Sequence, residues 1–376
     1  MKVLHVGWVS NSINNIIALK NWGYEVYVLD TQVPKNINAH NLLKKYISKS
    51  HIFNLYENIN DKNFNKKKYF KAFLSRYDKN IWKTKDYIKG LPQVDLVFFT
   101  WGVGVAPEIK LLSDGYPNTP FVHNLLTFPT SEKSILREMF ELKLYKDIIK
   151  GIDGLIYASE NMKKFIEKKY TESKNISSTT IPQGFCETYF PNTHLEKLSD
   201  KDNKKHIVFL GRFNNGNWNY VEKELCKLAR DDIVIHCSSL SDIKNRKNFE
   251  TFQPFDGNEL ISGDLATYIT QFDASISTYN ITKKRTRYST SLPSRFLFPL
   301  ISQLPIILPS GKLEACENFI LNNGNGYIYK NIEEINDWLN DDECFNKAKK
   351  NSKVVANKMI LDKKNHPINL FIQKLM

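Results

Sequence analysis

Two arginines stand where an alternation of strands and helices would bind an anion. Arg212 follows Gly211 directly after an apolar, β-rich run at residues 206–210, and Arg295 follows Ser294 at the start of a helical stretch. A helix N-terminus presents unbonded backbone N–H groups, and a guanidinium can bind two oxygens of one phosphate. The two positions therefore predict a site for a phosphorylated ligand, whose charge these groups would stabilise without a metal ion.

A dense basic loop lies near these arginines. Lys283, Lys284 and Arg285 follow the predicted strand at residues 274–277, on the side where phosphates should lie. Such a run is also typical of a solvated surface, and lysine as a point charge gives less geometric control than a bidentate arginine. The sequence leaves both interpretations open.

The first turn between a strand and a helix argues against a dinucleotide cofactor. It contains one glycine, Gly7, where the pyrophosphate fingerprint needs three, although Asp30 ends the second strand where a ribose-binding acid would stand. The sequence also has no P-loop, no G-x-S-x-G elbow and no H-E-x-x-H helix. We therefore expect neither a bound cofactor nor a metal site.

Apolar, β-rich runs alternate with helical stretches along the chain. Strands are predicted at 2–6, 25–30, 95–100, 120–123 and 154–158, and then at 206–210, 233–237, 274–277 and 305–308. Such alternation is typical of parallel sheets covered by helices. We therefore expect an α/β chain of two Rossmann-like domains whose sheets face each other across a cleft.

A charged segment poor in core residues divides the chain. We expect an N-terminal domain at 1–185, a linker at 186–205 and a C-terminal domain at 206–355. Residues 356–376 form a predicted helix that would cross back to the N-terminal domain.

Several short motifs follow one another in a recognisable order. Gly211 and Arg212 end the strand that opens the second domain, and residues 293–307 have the sequence Pro-Ser-Arg-Phe-Leu-Phe-Pro-Leu-Ile-Ser-Gln-Leu-Pro-Ile-Ile. Residues 154–160 end in Ser-Glu, 181–190 begin Ile-Pro-Gln-Gly and end in Phe, and 324–327 have the sequence Gly-Asn-Gly-Tyr. In this order they resemble the GT-B glycosyltransferases of family 4, including their Pro-x-Lys-x-x-Glu-Tyr-Leu pattern. The resemblance spans most of the chain.

The resemblance implies an acceptor domain followed by a donor domain that binds a nucleotide sugar, with a UDP-sugar as the expected co-substrate. The donor contacts that we expect are Gly211, Arg212, Asn217, Lys283, Lys284, Arg285, Thr290, Ser294 and Arg295. In similar enzymes a histidine at the position of His123 contacts the transferred sugar, so His123 is the candidate catalytic residue. The candidate contacts to acceptor or sugar are Trp8, Ser10, Trp101 and Gly102.

The chain departs from this family at three positions. The family commonly places a lysine five residues after the arginine of its Gly-Arg pair, where this chain has Asn217. It also places two glutamates eight residues apart, where this chain has Thr290 and Phe298. The second glutamate typically holds the donor ribose, so the ribose contact and the stereochemistry of transfer stay open. The basic loop would replace the lysine electrostatically.

Composition points to anionic partners. The chain has 53 Lys and Arg against 40 Asp and Glu, a formal net charge of +13, and five scattered cysteines that predict no disulfide framework. We expect a cytoplasmic protein with a saccharide or lipid-linked acceptor. Aromatic and basic residues recur at helical spacing over 64–89, as in a helix that touches an anionic membrane or in a domain helix with a solvated basic face, and the sequence leaves both open.

Three functions remain open from the sequence. The first is a glycosyltransferase in the synthesis of a surface polysaccharide or glycolipid. The second is a glucosyltransferase that modifies nucleic acid, because a basic surface with aromatic residues can bind a polyanionic backbone. The third is a catalytically silent subunit of the same fold that binds a partner or a glycan.

Overall fold

The structure is a computed structural model. It describes residues 1–32, 36–55, 90–102, 106–130, 135–211, 219–238, 247–279 and 286–376. The chain divides into two compact units, a first unit of Met1–Pro182 with Leu361–Met376 and a second unit of Gln183–Ile360.

The first unit contains a parallel sheet of seven described strands in the order β3-β2-β1-β4-β5-β6-β7. The central strands are nearly continuous runs of buried Val, Leu, Ile and Phe, as expected when helices cover both faces. The strands are β1 (Lys2–Gly7), β2 (Glu25–Asp30), β3 (Ile52–Asn54), β4 (Leu96–Trp101), β5 (Phe121–Leu125), β6 (Gly154–Tyr157) and β7 (Ser177–Thr180).

Helices connect these strands. The described α-helices between these strands are α1 (Val9–Asn21), α2 (Ile37–Leu43), α3 (Ala106–Gly115), α4 (Ile135–Ile148) and α5 (Glu160–Lys169). Helix α5 begins where the sequence predicts a strand-to-helix turn, because the side chain of Ser159 accepts a hydrogen bond from the backbone N–H of Met162 at 3.0 Å.

The second unit contains a parallel sheet of six described strands in the order β10-β9-β8-β11-β12-β13. The prediction of two Rossmann-like domains with parallel sheets is confirmed. The strands are β8 (Lys205–Phe209), β9 (Ile233–Ser238), β10 (Phe249–Phe252), β11 (Ala274–Ile276), β12 (Ile306–Pro309) and β13 (Gly326–Tyr329).

The helices of the second unit pack on both faces of this sheet. Those described are α6 (Ser199–Asp202), α7 (Asn219–Leu228), α8 (Gly257–Ile261), α9 (Asp264–Ile269), α10 (Thr286–Thr290), α11 (Ser294–Ile301), α12 (Glu314–Asn323), α13 (Glu334–Asn340) and α14 (Asp342–Lys358). Helix α11 has the most apolar face of these, with six consecutive buried residues from Phe296 to Ile301.

The segment predicted as a linker lies inside the second unit, and the division between the units falls before it. Its backbone is held by the segment around α9, since the N–H of Leu195 donates to Thr270 Oγ1 at 3.0 Å and that of Leu198 to the carbonyl of Gln271 at 3.0 Å. Burial lowers the pKa of the Lys197 ammonium to about 8.

The C-terminal residues complete the first unit. Helix α15 (Pro367–Leu375) lies so close to β6 that a Cβ at Gly154 would lie 2.5 Å from Cδ1 of Leu375. The indole N–H of Trp22 donates to the carbonyl of Leu361 at 3.1 Å. Among the described helices, none is long and apolar enough to cross a membrane.

Candidate functional site

In each sheet the order in which the chain adds strands reverses at one point, the topological switch point. In the first sheet it lies between β1 and β4, and in the second between β8 and β11. Ligands of open α/β sheets bind outside the carboxyl ends of the strands at such a switch point. A ligand would therefore contact the residues that directly follow these strands.

Trp101 ends β4 beside the first switch point in a strained backbone conformation. Its φ is 104°, a value that side chains of L-amino acids rarely adopt. Strain of this kind concentrates at functional sites, where the surrounding structure holds it. Gly102 comes next, and a Cβ there would lie 2.7 Å from the carbonyl oxygen of Thr127, so only glycine fits.

His123 holds this turn from the neighbouring strand. Its Nε2 lies 3.2 Å from the carbonyl oxygen of Trp101 and therefore carries the proton, while Nδ1 is buried without a partner among the described residues. The side chain is 0% exposed, and burial lowers its pKa to about 4, so that the ring is neutral at physiological pH. The ring packs between Phe99 and Tyr145.

The remaining candidates of the first unit lie after β1. Trp8 precedes α1 as its N-cap residue and is half-buried, and the hydroxyl of Ser10 donates to Oε1 of Gln32 at 2.9 Å. Asp30 is fully buried, and Oδ1 accepts from the backbone N–H of Val9 at 3.3 Å. Its other oxygen lies 2.5 Å from Nε2 of His40. The carboxylate of Asp30 thus stabilises the start of α1. This structural role accounts for a buried aspartate here without a contact to a ribose.

Arg295 lies in the first turn of α11, beside the second switch point. Its guanidinium carbon is 4.3 Å from the ring centre of Tyr279, which follows β11 by three residues. Nη1 is buried and has no hydrogen-bond partner among the residues that the structure describes. Pro293, the N-cap residue of α11, makes no capping hydrogen bond with its side chain. A fixed cation with an unused N–H beside an uncapped helix N-terminus is an arrangement that binds an oxyanion.

Four other positions singled out in the sequence also lie in the second unit. Ser294 is exposed as the first residue of α11, Gly211 follows β8 and is buried, and the hydroxyl of Thr290 donates to the carbonyl of Thr286 at 3.0 Å. Phe298 is 7% exposed and its ring packs edge-on against Phe185, with 5.6 Å between ring centres. Where the similar family has a ribose-binding glutamate, this chain therefore has a core residue.

Five predicted donor contacts lie outside the described residues, and so does the basic aromatic segment at 64–89. These contacts are Arg212, Asn217, Lys283, Lys284 and Arg285.

Polar groups that the sequence did not point to also lie near the carboxyl ends of the strands in the second unit. Glu224 of α7 contacts both Thr278, after β11, and Lys312, after β12. The hydroxyl of Ser277 is buried without a partner among the described residues. The Gly311-Lys312 pair, shortly after the strand predicted at 305–308, was the available signal for Lys312.

One Asp-x-Asp pattern is present in the sequence, at Asp200 and Asp202, and it lies away from the switch point. Oδ1 of Asp202 is 3.0 Å from Nε2 of His206, and His206 lies at the amino end of β8, the edge opposite to Arg295. Across the described residues, no group of three or more His, Cys, Asp or Glu side chains is placed to hold a metal ion.

Solved structures match the chain over its whole length. A sucrose-phosphate synthase from Thermosynechococcus elongatus has a TM-score of 0.70 at 11% identity, covering 100% of this chain and 98% of its own. The Anabaena protein HepE, crystallised with UDP, has a TM-score of 0.65 at 11% identity, with all of both chains covered. The lipopolysaccharide outer core galactosyltransferase WaaB has a TM-score of 0.63 at 12% identity and the same coverage.

These structural neighbours are GT-B glycosyltransferases, and the chain has the GT-B fold. No family model and no curated protein matches the sequence. The likeness therefore lies in the fold, and the residues of the site must carry any argument about function.

Proposed function

We propose that this protein is a glycosyltransferase that moves a sugar from a nucleoside diphosphate sugar to a saccharide acceptor. The observation that carries the proposal is that Nη1 of Arg295, in the first turn of α11, is buried without a hydrogen-bond partner among the described residues. A buried donor without a partner is costly, and a bound phosphate oxygen would satisfy it. Its position beside the switch point of the second sheet is where a GT-B fold would bind its donor.

In this reaction the bond between C1 of the sugar and the diphosphate oxygen breaks, and its electron pair leaves with the oxygen. The oxygen of the acceptor hydroxyl forms the new bond to C1, and the hydroxyl proton is released to solvent. The products are the glycosylated acceptor, the nucleoside diphosphate and this proton. Arg295 and the first N–H groups of α11 would stabilise the charge that develops on the leaving diphosphate. Preorganised donors aimed at developing charge are among the largest contributions to catalysis.

A UDP-sugar is the donor that we propose, because HepE, which has the same fold, was crystallised with UDP and also with UDP and glucose. The acceptor side would be the turn after β4, with Trp8, Trp101 and Gly102 as its contacts. His123 is fully buried. We therefore propose that it affects sugar transfer indirectly, by donating a hydrogen bond to the carbonyl of Trp101 and so fixing the turn after β4. We further propose a glycan or lipid-linked acceptor in the synthesis of a surface polysaccharide or glycolipid.

An exposed face of α4 supports contact with an anionic membrane. Ile135, Leu136 and Met139 are 60%, 67% and 59% exposed on its first turns. A depression of ≈ 440 Å³ beside Met139 is lined by the lysines of α4 and α5, Lys143, Lys146 and Lys169. Apolar residues next to lysines are what a helix needs to lie at the surface of an anionic bilayer.

Thermal unfolding in the presence of UDP, GDP, ADP, CMP and TDP tests the donor site. Binding to the folded state raises the melting temperature by mass action. We expect one diphosphate to stabilise the wild type and Arg295→Ala to abolish that shift. Arg230→Ala is the matched control, because Arg230 lies before β9 at the opposite edge of the sheet. Absence of a shift with every nucleotide would favour the silent-subunit function, and binding to DNA with strong salt dependence would favour the nucleic-acid function.

Flotation with phosphatidylglycerol or phosphatidylcholine vesicles tests the membrane contact. We expect flotation with the anionic vesicles, lost in the double variant Leu136→Asp and Met139→Asp. Leu321→Asp is the control, because Leu321 is 70% exposed in the second unit. Equal flotation of all three proteins would refute a membrane-binding role for α4.

A further inference from the structure

An ion pair joins α7 to the loop that follows β12. Nζ of Lys312 lies 3.1 Å from Oε1 of Glu224, and Oε2 of the same carboxylate accepts a hydrogen bond from Thr278 Oγ1 at 2.9 Å. The two charged side chains are only 23% and 15% exposed. Both oxygens of Glu224 are thus engaged, and this one carboxylate connects segments that follow β8, β11 and β12.

The backbone that carries Lys312 is fixed as well. Gly311 has a φ of 77°, which forms the turn after β12. The N–H groups of Gly311 and Lys312 both donate to Oε1 of Glu317, at 2.7 and 3.2 Å. Glu224 therefore holds the ammonium of Lys312, and Glu317 holds the backbone from which the side chain extends.

The pair lies at the same edge of the sheet as Arg295. Thr278 directly precedes Tyr279, and the guanidinium of Arg295 stacks on the ring of Tyr279. The anion site at the switch point therefore has a second cation at its side, supplied by the adjacent strand. The desolvation of two mostly buried charges offsets much of their mutual attraction, so folding alone gives little reason to hold a lysine so firmly at this edge.

We propose that Lys312 is a second contact for the diphosphate of the sugar nucleotide and that Glu224 is a positioning residue that holds its ammonium. This inference rests on the proposed function. A cation held before the ligand arrives loses less freedom on binding, which favours affinity.

Calorimetric titration of the full chain with UDP, UMP and inorganic pyrophosphate tests the assignment. We expect Lys312→Met to weaken binding of UDP and pyrophosphate about tenfold or more, with a smaller effect on UMP, because a charge-assisted hydrogen bond to the second phosphate is lost. Lys312→Arg should retain part of the affinity. Lys227→Met, on the exposed face of α7, removes the same charge and should change nothing.

Glu224→Gln separates positioning from simple charge. If Glu224 only adds negative charge near the site, its neutralisation will strengthen binding of UDP. If it positions Lys312, the same change will weaken binding, and it will have no further effect in the Lys312→Met background. Stronger binding would overturn the positioning role.

The failures of the two proposals are distinguishable. Loss of UDP binding in Arg295→Ala with wild-type affinity in Lys312→Met would overturn the role of Lys312 and leave the proposed function standing. A wild type that binds neither UDP nor pyrophosphate would overturn both.

Discussion

The guanidinium of Arg295 stacks on the ring of Tyr279, with 4.3 Å between the guanidinium carbon and the ring centre. The two residues lie sixteen positions apart, and α10 lies between them in the sequence. The stack fixes the direction of the guanidinium before any ligand is bound. The orientation of Arg295 in the proposed donor site depends on this contact.

Removing this stack should weaken donor binding. We expect Tyr279→Leu to lower the affinity for the nucleoside diphosphate about fivefold, because an exposed cation–π contact contributes about 0.5–1 kcal/mol and more when desolvated. Tyr279→Phe keeps the ring and should bind nearly as the wild type does. Titration calorimetry measures both, and equal affinities in all three proteins would show that the ring does not orient Arg295.

Enlarging Gly102 should disturb the turn after β4. A Cβ at this position would lie 2.5 Å from Cγ2 of Thr130 and 2.7 Å from the carbonyl oxygen of Thr127. We expect Gly102→Ala to lower the free energy of unfolding by about 1–3 kcal/mol and to reduce transfer activity. Gly151→Ala is the control, since its nearest contact would be 3.9 Å away. Denaturant unfolding measures both, and equal midpoints would contradict the close packing.

Replacing Gln303 by glycine should stabilise the second unit. Gln303 follows α11 in the left-handed region, with a φ of 64°, where a side chain costs about 1–2 kcal/mol. Part of that cost is offset by the entropy of glycine in the unfolded chain. We expect Gln303→Gly to gain about 1 kcal/mol and Gln303→Ala to gain nothing, as measured by denaturant unfolding. A loss of stability in the glycine variant would show that the side chain stabilises this turn.

Buried histidines should make the first unit sensitive to acid. Burial lowers the pKa of His123 to about 4 and that of His5 to about 3, against about 6.5 in an unfolded chain. Between these values the unfolded chain binds protons that the folded chain does not, so stability falls as the pH drops from 6.5 towards 4. At pH 5 the loss is about 2 kcal/mol for each such histidine. The melting temperature of His123→Gln should fall less steeply than that of the wild type between pH 7 and 5, and parallel curves would refute a neutral buried His123.

The inner strands of both sheets could be predicted from the sequence. Each is an apolar run buried on both faces, so its own composition predicts a strand without knowledge of the neighbouring strands. The four strands absent from the prediction are β3, β7, β10 and β13, which lie at the outer positions of the two sheets. They are short and partly polar, as Ser177–Thr180 shows, so their conformation depends on pairing with a neighbouring strand.

Local sequence therefore determined the alternation of strands and helices, and with it the fold and the start of α11 at Ser294. Tertiary structure decided which side chains meet. Glu224, Thr278 and Lys312 are separated by 54 and 34 positions in the chain and are joined only because β8, β11 and β12 are neighbours in the sheet. Burial of His123 and the packing of Phe298 on Phe185 were decided in the same way, because the surroundings of a side chain come from distant segments that spacing along the sequence does not specify.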